Sequence, residues 1–523
     1  MKRNSILLLI VLSITFITGC SLPFLRESTP VQGQKIEIEP EFNVEQVVLS
    51  QGFQNTEPRI ELSRKNNNLL LLVSPGIVQS TGMEVSKIED VDGVYNIHLV
   101  NSSYSSAELV IPQITVLLSN VTPSEAESMK FSIVNENYTP VSVSHGIVDV
   151  LKKVKSDYKI STDGSPSIRL IKEENEPLWV IEYNNIYDTE NLEIPLINLR
   201  LKVSANNGEV VESSKGLIST YFDQGTILDF VPGKAIIYSR KNLDTNKDEL
   251  WYYDFISGDK VDIFKTFSLI KSAQLSPDGL NVALLERDGE KATAYTISID
   301  DRRAVRIGTN MDLIPEQISW NNDLEIQVLT SFTDNQTQIF SYNIQDNSLM
   351  ATYVFMMDLD TLSTMNDVIL ASEFTSNNSN NRILVSDGGN GFRYVDDGFS
   401  PKILNENLGM HLRNDDSSTK NRLHIFNLKT LETEYETRFN VVDTSIISDT
   451  EILVIEKLPG NNSFGAHILD IESFELISLG NINTSRIYLD MNTETIYANP
   501  SITYRSEVLE IIYSMNLSNL KSR

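Results

Sequence analysis

From about residue 217 to its end, this chain repeats itself. Short aromatic and aliphatic runs recur, each leading into a polar turn: ELWYYD ends at Asp254, TAYTIS at Ser298, QIFSYN at Asn343, RILVSD at Asp387, RLHIFN at Asn427, AHILD at Asp470 and LEIIYS at Ser514. The intervals are 44, 45, 44, 40, 43 and 44 residues. A second run precedes most of them, as in PGKAIIYS (232–239), SPDGLNVALLE (276–286), NNDLEIQVLT (321–330), NDVILAS (366–372), SDTEILVIE (448–456) and NTETIYA (492–498). Apolar runs of this length, rich in Ile, Val, Tyr and Phe and bounded by Asn, Asp and Gly, are strands. Tandem strand-rich units of 40–45 residues specify a β-propeller, because no single unit can bury its own apolar face.

Seven units fit between 217 and 523. The fifth, around 400–437, is the shortest and has a poor first strand, so six blades also fit, with seven favoured. The turn Ser276-Pro277-Asp278-Gly279 resembles the TolB-like propeller repeat, whose blades carry such a turn before the second strand. The expected fold class is therefore mainly β: a C-terminal propeller (217–523) preceded by two small β or α+β domains.

The N-terminus reads MKRNSILLLIVLSITFITGC. Lys2 and Arg3 precede an apolar stretch of 13 residues, Ser5 to Ile17, against the roughly 20 that a permanent membrane-spanning helix needs. That is the shape of a secretory signal. Its end, Ile17-Thr18-Gly19-Cys20, resembles the lipobox of bacterial lipoproteins. The resemblance implies cleavage between Gly19 and Cys20, a signal peptide over 1–19, and lipid on the Cys20 thiol. It places the protein on the extracytoplasmic face of the cell membrane. Each CH₂ of a buried acyl chain contributes about 0.8 kcal/mol, so several chains make a stable anchor. Cys20 is the only cysteine of the 523 residues. An internal disulfide is excluded, and with lipid on Cys20 a thiolate metal site and a cysteine nucleophile are not expected either.

Residues 20–35, with SLPFLRESTPVQGQ, read as a flexible tether. The formal net charge is −28, and it becomes −30 once Lys2 and Arg3 are removed. Such a surface is repelled by nucleic acid and by anionic headgroups.

Two modules are expected before the propeller. In 36–145, the alternation in MEVSKIEDV and YNIHLV, split by Asp92-Gly93, signals a hairpin. The stretch 69–120 resembles the small PrcB-type domain, with Thr81-Gly82 followed by Met83 and Glu84 where that family tends to show Thr-Gly-Gly-Tyr, and Ile111-Pro112 where it has Tyr-Pro. In 146–216, IVDVLKKVKSDY is apolar at Ile147, Val150, Leu151 and Val154, the spacing of one buried helix face. The following strands and the turn Ser204 to Glu209 resemble a PepSY-like module. The two resemblances imply regulation or assembly of an extracytoplasmic protease or signalling system.

Motifs for chemistry are few. The histidines are His98, His145, His411, His424 and His467. His424 and His467 share a phase in adjacent units, which is too far apart for one small ion; strand surfaces are the expected positions, and no metal site is assigned. Asp244, Asn246 and Asp248 echo a calcium loop, but Glu249 stands where Gly is required and Phe255 where a bidentate Glu is required. A hairpin tip is the reading, and SFTDNQTQ, FTSNNSNN, LRNDDSSTKN and LPGNNSFG fill the same slot in other units. Ser144-His145-Gly146 is no triad, and Ser161–Ser165 fails the sialidase box. No catalytic residue, cofactor or nucleotide-binding motif is assigned. The expectation is a non-catalytic lipoprotein that binds protein partners through residues the sequence does not identify. A propeller hydrolase acting on glycan or peptide, or a ligand-binding lipoprotein, is the alternative.

Overall fold

The computed structural model describes residues 41–65, 68–102, 108–119, 121, 128–160, 166–308, 314–333, 336–375, 380–387, 391–415, 420–459, 463–504 and 507–521. The signal peptide, the tether, Gly19 and Cys20 lie outside them, as do Ser161–Ser165 and parts of the four polar slots. No helix among the described residues is long and apolar enough to cross a membrane. The chain forms two compact units, one built chiefly from 57–107 and 112–140, the other mainly from Val141 to Arg523.

In the first unit, Arg59–Lys65 pairs with Asn68–Ser74, which pairs in turn with the strand ending at Ser119. Met83–Val91 and Val94–Asn101 form the expected hairpin, with Asp92 (φ 56°) and Gly93 (φ 83°) at its tip. Two successive positive φ values match the right-handed strand twist, which is why Asp-Gly serves there. His98 is buried and structural: Nδ1 contacts Glu136 and Nε2 lies 2.9 Å from Glu89.

The second unit begins with helix α1 (Ile147–Asp157), whose Ile147, Val150 and Val154 are buried. A four-stranded antiparallel sheet follows, made of Ser167–Glu173, Glu176–Tyr187, Leu196–Ser204 and Val210–Leu217. Trp179 is fully buried and donates from Nε1 to the His145 carbonyl at 2.9 Å. The expected Asn-Asn-Gly turn is present, with Gly208 at φ 69° donating to the Ser204 carbonyl.

The rest of this unit is a β-propeller of antiparallel sheets in sequence order. Sheet 1 runs from Thr226 to Thr266, sheet 2 from Leu269 to Arg306 and sheet 3 from Ile314 to Phe355. Sheets 4 and 5 share one strand and span Leu359 to Glu436; sheet 6 spans Val441 to Ile482. Sheet 7 takes Ile487–Asp490, Thr495–Ala498 and Glu507–Asn516 from the C-terminus, and Thr220–Gln224 from before sheet 1 as its outer strand. The two ends of the propeller segment are thus hydrogen-bonded in one sheet.

Each sheet packs on the next through a buried apolar cluster. Ile237 and Leu250 meet Leu275 and Leu284; Leu285 meets Ile318 and Trp320; Leu329 meets Leu362. Leu370 and Val385 meet Ile403 and Phe426; Leu412 and Ile425 meet Val454. Ile455 and Ile468 meet Leu489 and Ile496, and the ring returns to its start where Tyr497 and Ile512 meet Ile227 and Tyr238. Each fully buried Leu, Ile or Val contributes about 1.5–3 kcal/mol, so closure buries a belt of apolar surface that any open arrangement would expose.

The periodicity has a physical cause. At Asp254, Asn343, Asn427 and Asp470 the landmark residue ends the third strand of its sheet, and its side chain accepts backbone N–H groups of the turn beyond. Asp254 Oδ1 accepts from Ile256 (2.7 Å) and Ser257 (2.8 Å), Asn427 from Lys429 and Thr430, and Asp470 from Glu472 and Ser473. Short amide and carboxylate side chains favour this turn. In sheet 7 the role falls to Asn516, which accepts from Ser518 at 2.9 Å, two residues after the Ser514 read from the sequence. The short fifth unit is explained by Arg393–Ile403. Its first half pairs with Asn381–Asp387 in sheet 4 and its second half with Leu408–Asp415 in sheet 5. Ser400, at φ 53°, bends the strand between them, so no connecting loop is needed.

The α1-bearing sheet is fastened to this propeller. Tyr513 Oη donates to the Ile194 carbonyl (2.5 Å), Asn185 Nδ2 to Asn481, and Asn483 Nδ2 to Asn185. Leu196 and Ile218 join the cluster between sheets 6 and 7.

Candidate functional site

A cavity of about 930 Å³ opens where the ring closes. Four stretches line it: the closing strand around Asp223 to Thr226, the sheet 1 hairpin around Asn242–Asp244, the link Phe267–Leu269, and Val508 with Glu510. Asp223, Arg240 and Asn242 line it, and the buried Glu249 behind the lining holds the last two. Asp223 accepts from Tyr238 Oη (2.5 Å) and the Gln224 N–H, and pairs with Lys260 at 2.5 Å. Glu249 accepts from Arg240 Nε (3.2 Å), Asn242 Nδ2 (2.9 Å) and Trp251 Nε1 (3.0 Å). The Arg240 guanidinium lies 4.0 Å over the Trp251 ring, a contact that contributes roughly 0.5–1 kcal/mol where solvent reaches it.

Burial by itself would raise both carboxyls. For Asp223 the Lys260 and Tyr238 donors outweigh it, and for Glu249 the Asn242, Trp251 and Arg240 donors do, so both are held below the usual range. A proton-donating acid needs the opposite shift. The floor is a rigid charged platform. Around it, Leu243, Phe267, Leu269 and Val508 are all more than 60% exposed. Solvated apolar side chains beside a fixed platform form a surface suited to contact with another molecule. Asp244, Asn246 and Asp248 sit at this hairpin tip: the Asn242 side chain caps the turn by accepting from Asp244 and Thr245, and Asp248 accepts from Ile270.

A second polar group lies on the innermost strands. Asp229 Oδ2 accepts from Leu275 N–H (2.7 Å), linking sheets 1 and 2, and Lys402 Nζ donates to the Thr444 carbonyl (2.5 Å), linking sheets 5 and 6. Asp229, Lys402 and Asp443 keep some solvent contact, yet protein surrounds them. Desolvation raises Asp229 to about 6, raises Asp443 and lowers Lys402, while the mutual attraction of these charges offsets part of each shift. They serve as links between neighbouring sheets.

The third group was not foreseen. His411 pairs directly across from His424 on the middle strands of sheet 5, with ring centroids 5.1 Å apart. Both are buried, whereas the sequence suggested strand surfaces. Asp396, on the sheet 4 half of the shared strand, lies 3.4 Å from His411 Nε2 and 3.7 Å from His424 Nδ1. Ligand atoms from all three residues lie within 4.8 Å of one another. Neither ring nitrogen of His411 has a hydrogen-bond partner, nor does His424 Nδ1. An unsatisfied buried polar group costs about 1–3 kcal/mol. Burial lowers the His424 pKa, and His411 adds to that shift. For Asp396, burial is outweighed by His411, the Asp397 N–H and Arg413, which hold it at about 2.

The sequence compared His424 with His467, which lies in sheet 6 and faces Glu456 at 3.2 Å. Cross-strand register, 13 residues apart through a hairpin, is the signal that pairs His424 with His411 instead. His145 is exposed and its Nδ1 contacts the Asn206 carbonyl.

No family model matches the chain, and no curated protein matches it. Among solved structures it is similar to oligogalacturonate lyase from Vibrio parahaemolyticus, at 9% identity and a TM-score of 0.44 over 67% of this chain and 97% of that one. It is also similar to the β-propeller domain of the Trilobed protease from Pyrococcus furiosus, at 14% identity and a TM-score of 0.40 over 63% and 100%. An uncharacterized protein from Listeria monocytogenes matches at 12% identity and a TM-score of 0.40 over 53% and 89%. At these scores no activity transfers, and the propeller fold stands on the chain's own sheets and interfaces.

Proposed function

We propose that this chain is a lipoprotein anchored through Cys20 on the extracytoplasmic face of the membrane, and that it acts as a non-catalytic protein-binding scaffold, sensor or regulator. The observation that carries the binding role is the cavity at the ring closure. Its rim exposes Leu243, Phe267, Leu269 and Val508, while the lining Asp223 carboxylate, and Glu249 which holds the lining Arg240 and Asn242, are kept ionised by fixed donors. Such a floor orients a partner by charge and the rim supplies apolar anchors. An extended segment of a partner protein with apolar side chains suits it. The lipobox resemblance of Ile17 to Cys20 supports the location. The TolB-like, PrcB-like and PepSY-like resemblances support a role in regulating a surface protease or signalling system.

The test has two arms. Cys20→Ala should abolish the acyl mass on the N-terminal peptide and release the chain from membranes. Phe267→Asp with Val508→Asp should leave anchoring and melting unchanged but remove whatever protein co-purifies stoichiometrically from detergent-solubilised membranes. An unlipidated wild-type N-terminus would refute the anchor. Unchanged co-purification, or turnover of a peptide or glycan abolished by a single carboxylate-to-amide change in the propeller, would refute the binding role.

A further inference from the structure

We propose that Asp396, His411 and His424 form a binding site for one first-row divalent transition-metal ion, of the Zn²⁺ class. Two imidazoles and a carboxylate, with no thiolate, select such ions over Mg²⁺ and Ca²⁺, which take oxygen ligands. Zinc–ligand bonds of about 2.1 Å at tetrahedral angles place ligand atoms about 3.4 Å apart. Asp396 Oδ2 stands 3.4 Å from His411 Nε2 and 3.7 Å from His424 Nδ1, so the donors need little movement.

Both ring nitrogens facing the carboxylate, His411 Nε2 and His424 Nδ1, lack hydrogen bonds, as does His411 Nδ1, and His411 is only 1% exposed. His424 Nε2 points the other way, 3.9 Å from Glu436 Oε1. Gly398 completes the cradle, because a Cβ there would collide with the His411 ring. Arg413 also contacts Asp396, at 3.1 and 3.2 Å, and is half-exposed. Its charge opposes a cation, and it can turn into solvent when one binds.

The location indicates the role. Asp396 belongs to the sheet 4 half of the shared strand, and both histidines to sheet 5. A bound ion would staple the two sheets beside the Ser400 bend, where no loop separates them.

Metal-stripped full-length protein should be titrated with Co²⁺ in excess Mg²⁺, following visible d–d absorption. One equivalent should saturate the signal, Zn²⁺ should displace it, and Zn²⁺ should raise the melting temperature. His424→Gln and His411→Gln should each remove the signal. Since both residues are buried, Arg413→Ala provides an independent arm: it keeps every ligand, removes a competing charge and should tighten Co²⁺ binding on the order of tenfold. Absence of a saturable signal, its persistence in both histidine variants, or unchanged or weaker binding in Arg413→Ala would overturn the site.

Discussion

Asn499 holds the ring shut, and its replacement by alanine tests that directly. The side chain is fully buried and bridges both ends of the propeller segment. Its Oδ1 accepts from the Ile227 N–H at 2.9 Å, and its Nδ2 donates to the Gly225 carbonyl (2.9 Å) and the Ile511 carbonyl (3.0 Å). A buried hydrogen bond contributes about 1 kcal/mol net, and a partner left without one costs about 1–3 kcal/mol. Asn499→Ala removes three bonds and strands the Ile227 N–H away from water. The expected loss is about 3–5 kcal/mol, or roughly 6–15 °C in melting temperature for a domain of this size. Urea unfolding followed by tryptophan fluorescence reports it, because Trp251 lies in sheet 1 beside the closure. Hydrogen exchange should accelerate most in 220–231 and 507–516. A loss below about 1 kcal/mol with unchanged exchange there would show that Asn499 does not hold the ring.

Two other outcomes follow from the same frame. Asp229 has a raised folded-state pKa of about 6, so its stabilising contribution is present below the unfolded value near 4 and is lost as pH rises through 6. Asp229→Asn should therefore be more stable than wild type by about 1–2 kcal/mol at pH 7.5, after discounting for residual solvent contact, with the gap narrowing as pH falls through 6 and closing below the unfolded value near 4; a gap independent of pH would refute this. Removing residues 505–523 takes out the strand between Thr495–Ala498 and Thr220–Gln224, and should open the ring in a single cooperative loss of stability, whereas unchanged melting would place the closure elsewhere.

The propeller was legible because its repeat is chemical as well as apolar. Asp254, Asn427 and Asp470 recur since each caps the same turn, and the Asp92-Gly93 hairpin was legible for a similar reason. The fifth unit was harder to read, because a strand that serves two sheets leaves neither a turn residue nor a gap in the pattern. The cavity was not legible at all. Leu243, Phe267 and Val508 become neighbours only through closure by Thr220–Gln224, and no local pattern encodes that. The His411–His424 pair was visible in principle, since counting back from the hairpin tip places the two opposite each other, but Asp396 joins them only through the bent shared strand.

The binding role is tested most directly by site-resolved photo-crosslinking in intact cells. A photoreactive residue at 243, 267 or 508 samples the cavity rim, and one at Leu192 or Met356, both highly exposed elsewhere, samples other surface. The account predicts one discrete crosslinked protein from the three rim positions, absent from 192 and 356, and lost when Arg240→Glu disrupts the floor. Equal crosslinking from all five positions, or none from the rim, would contradict it.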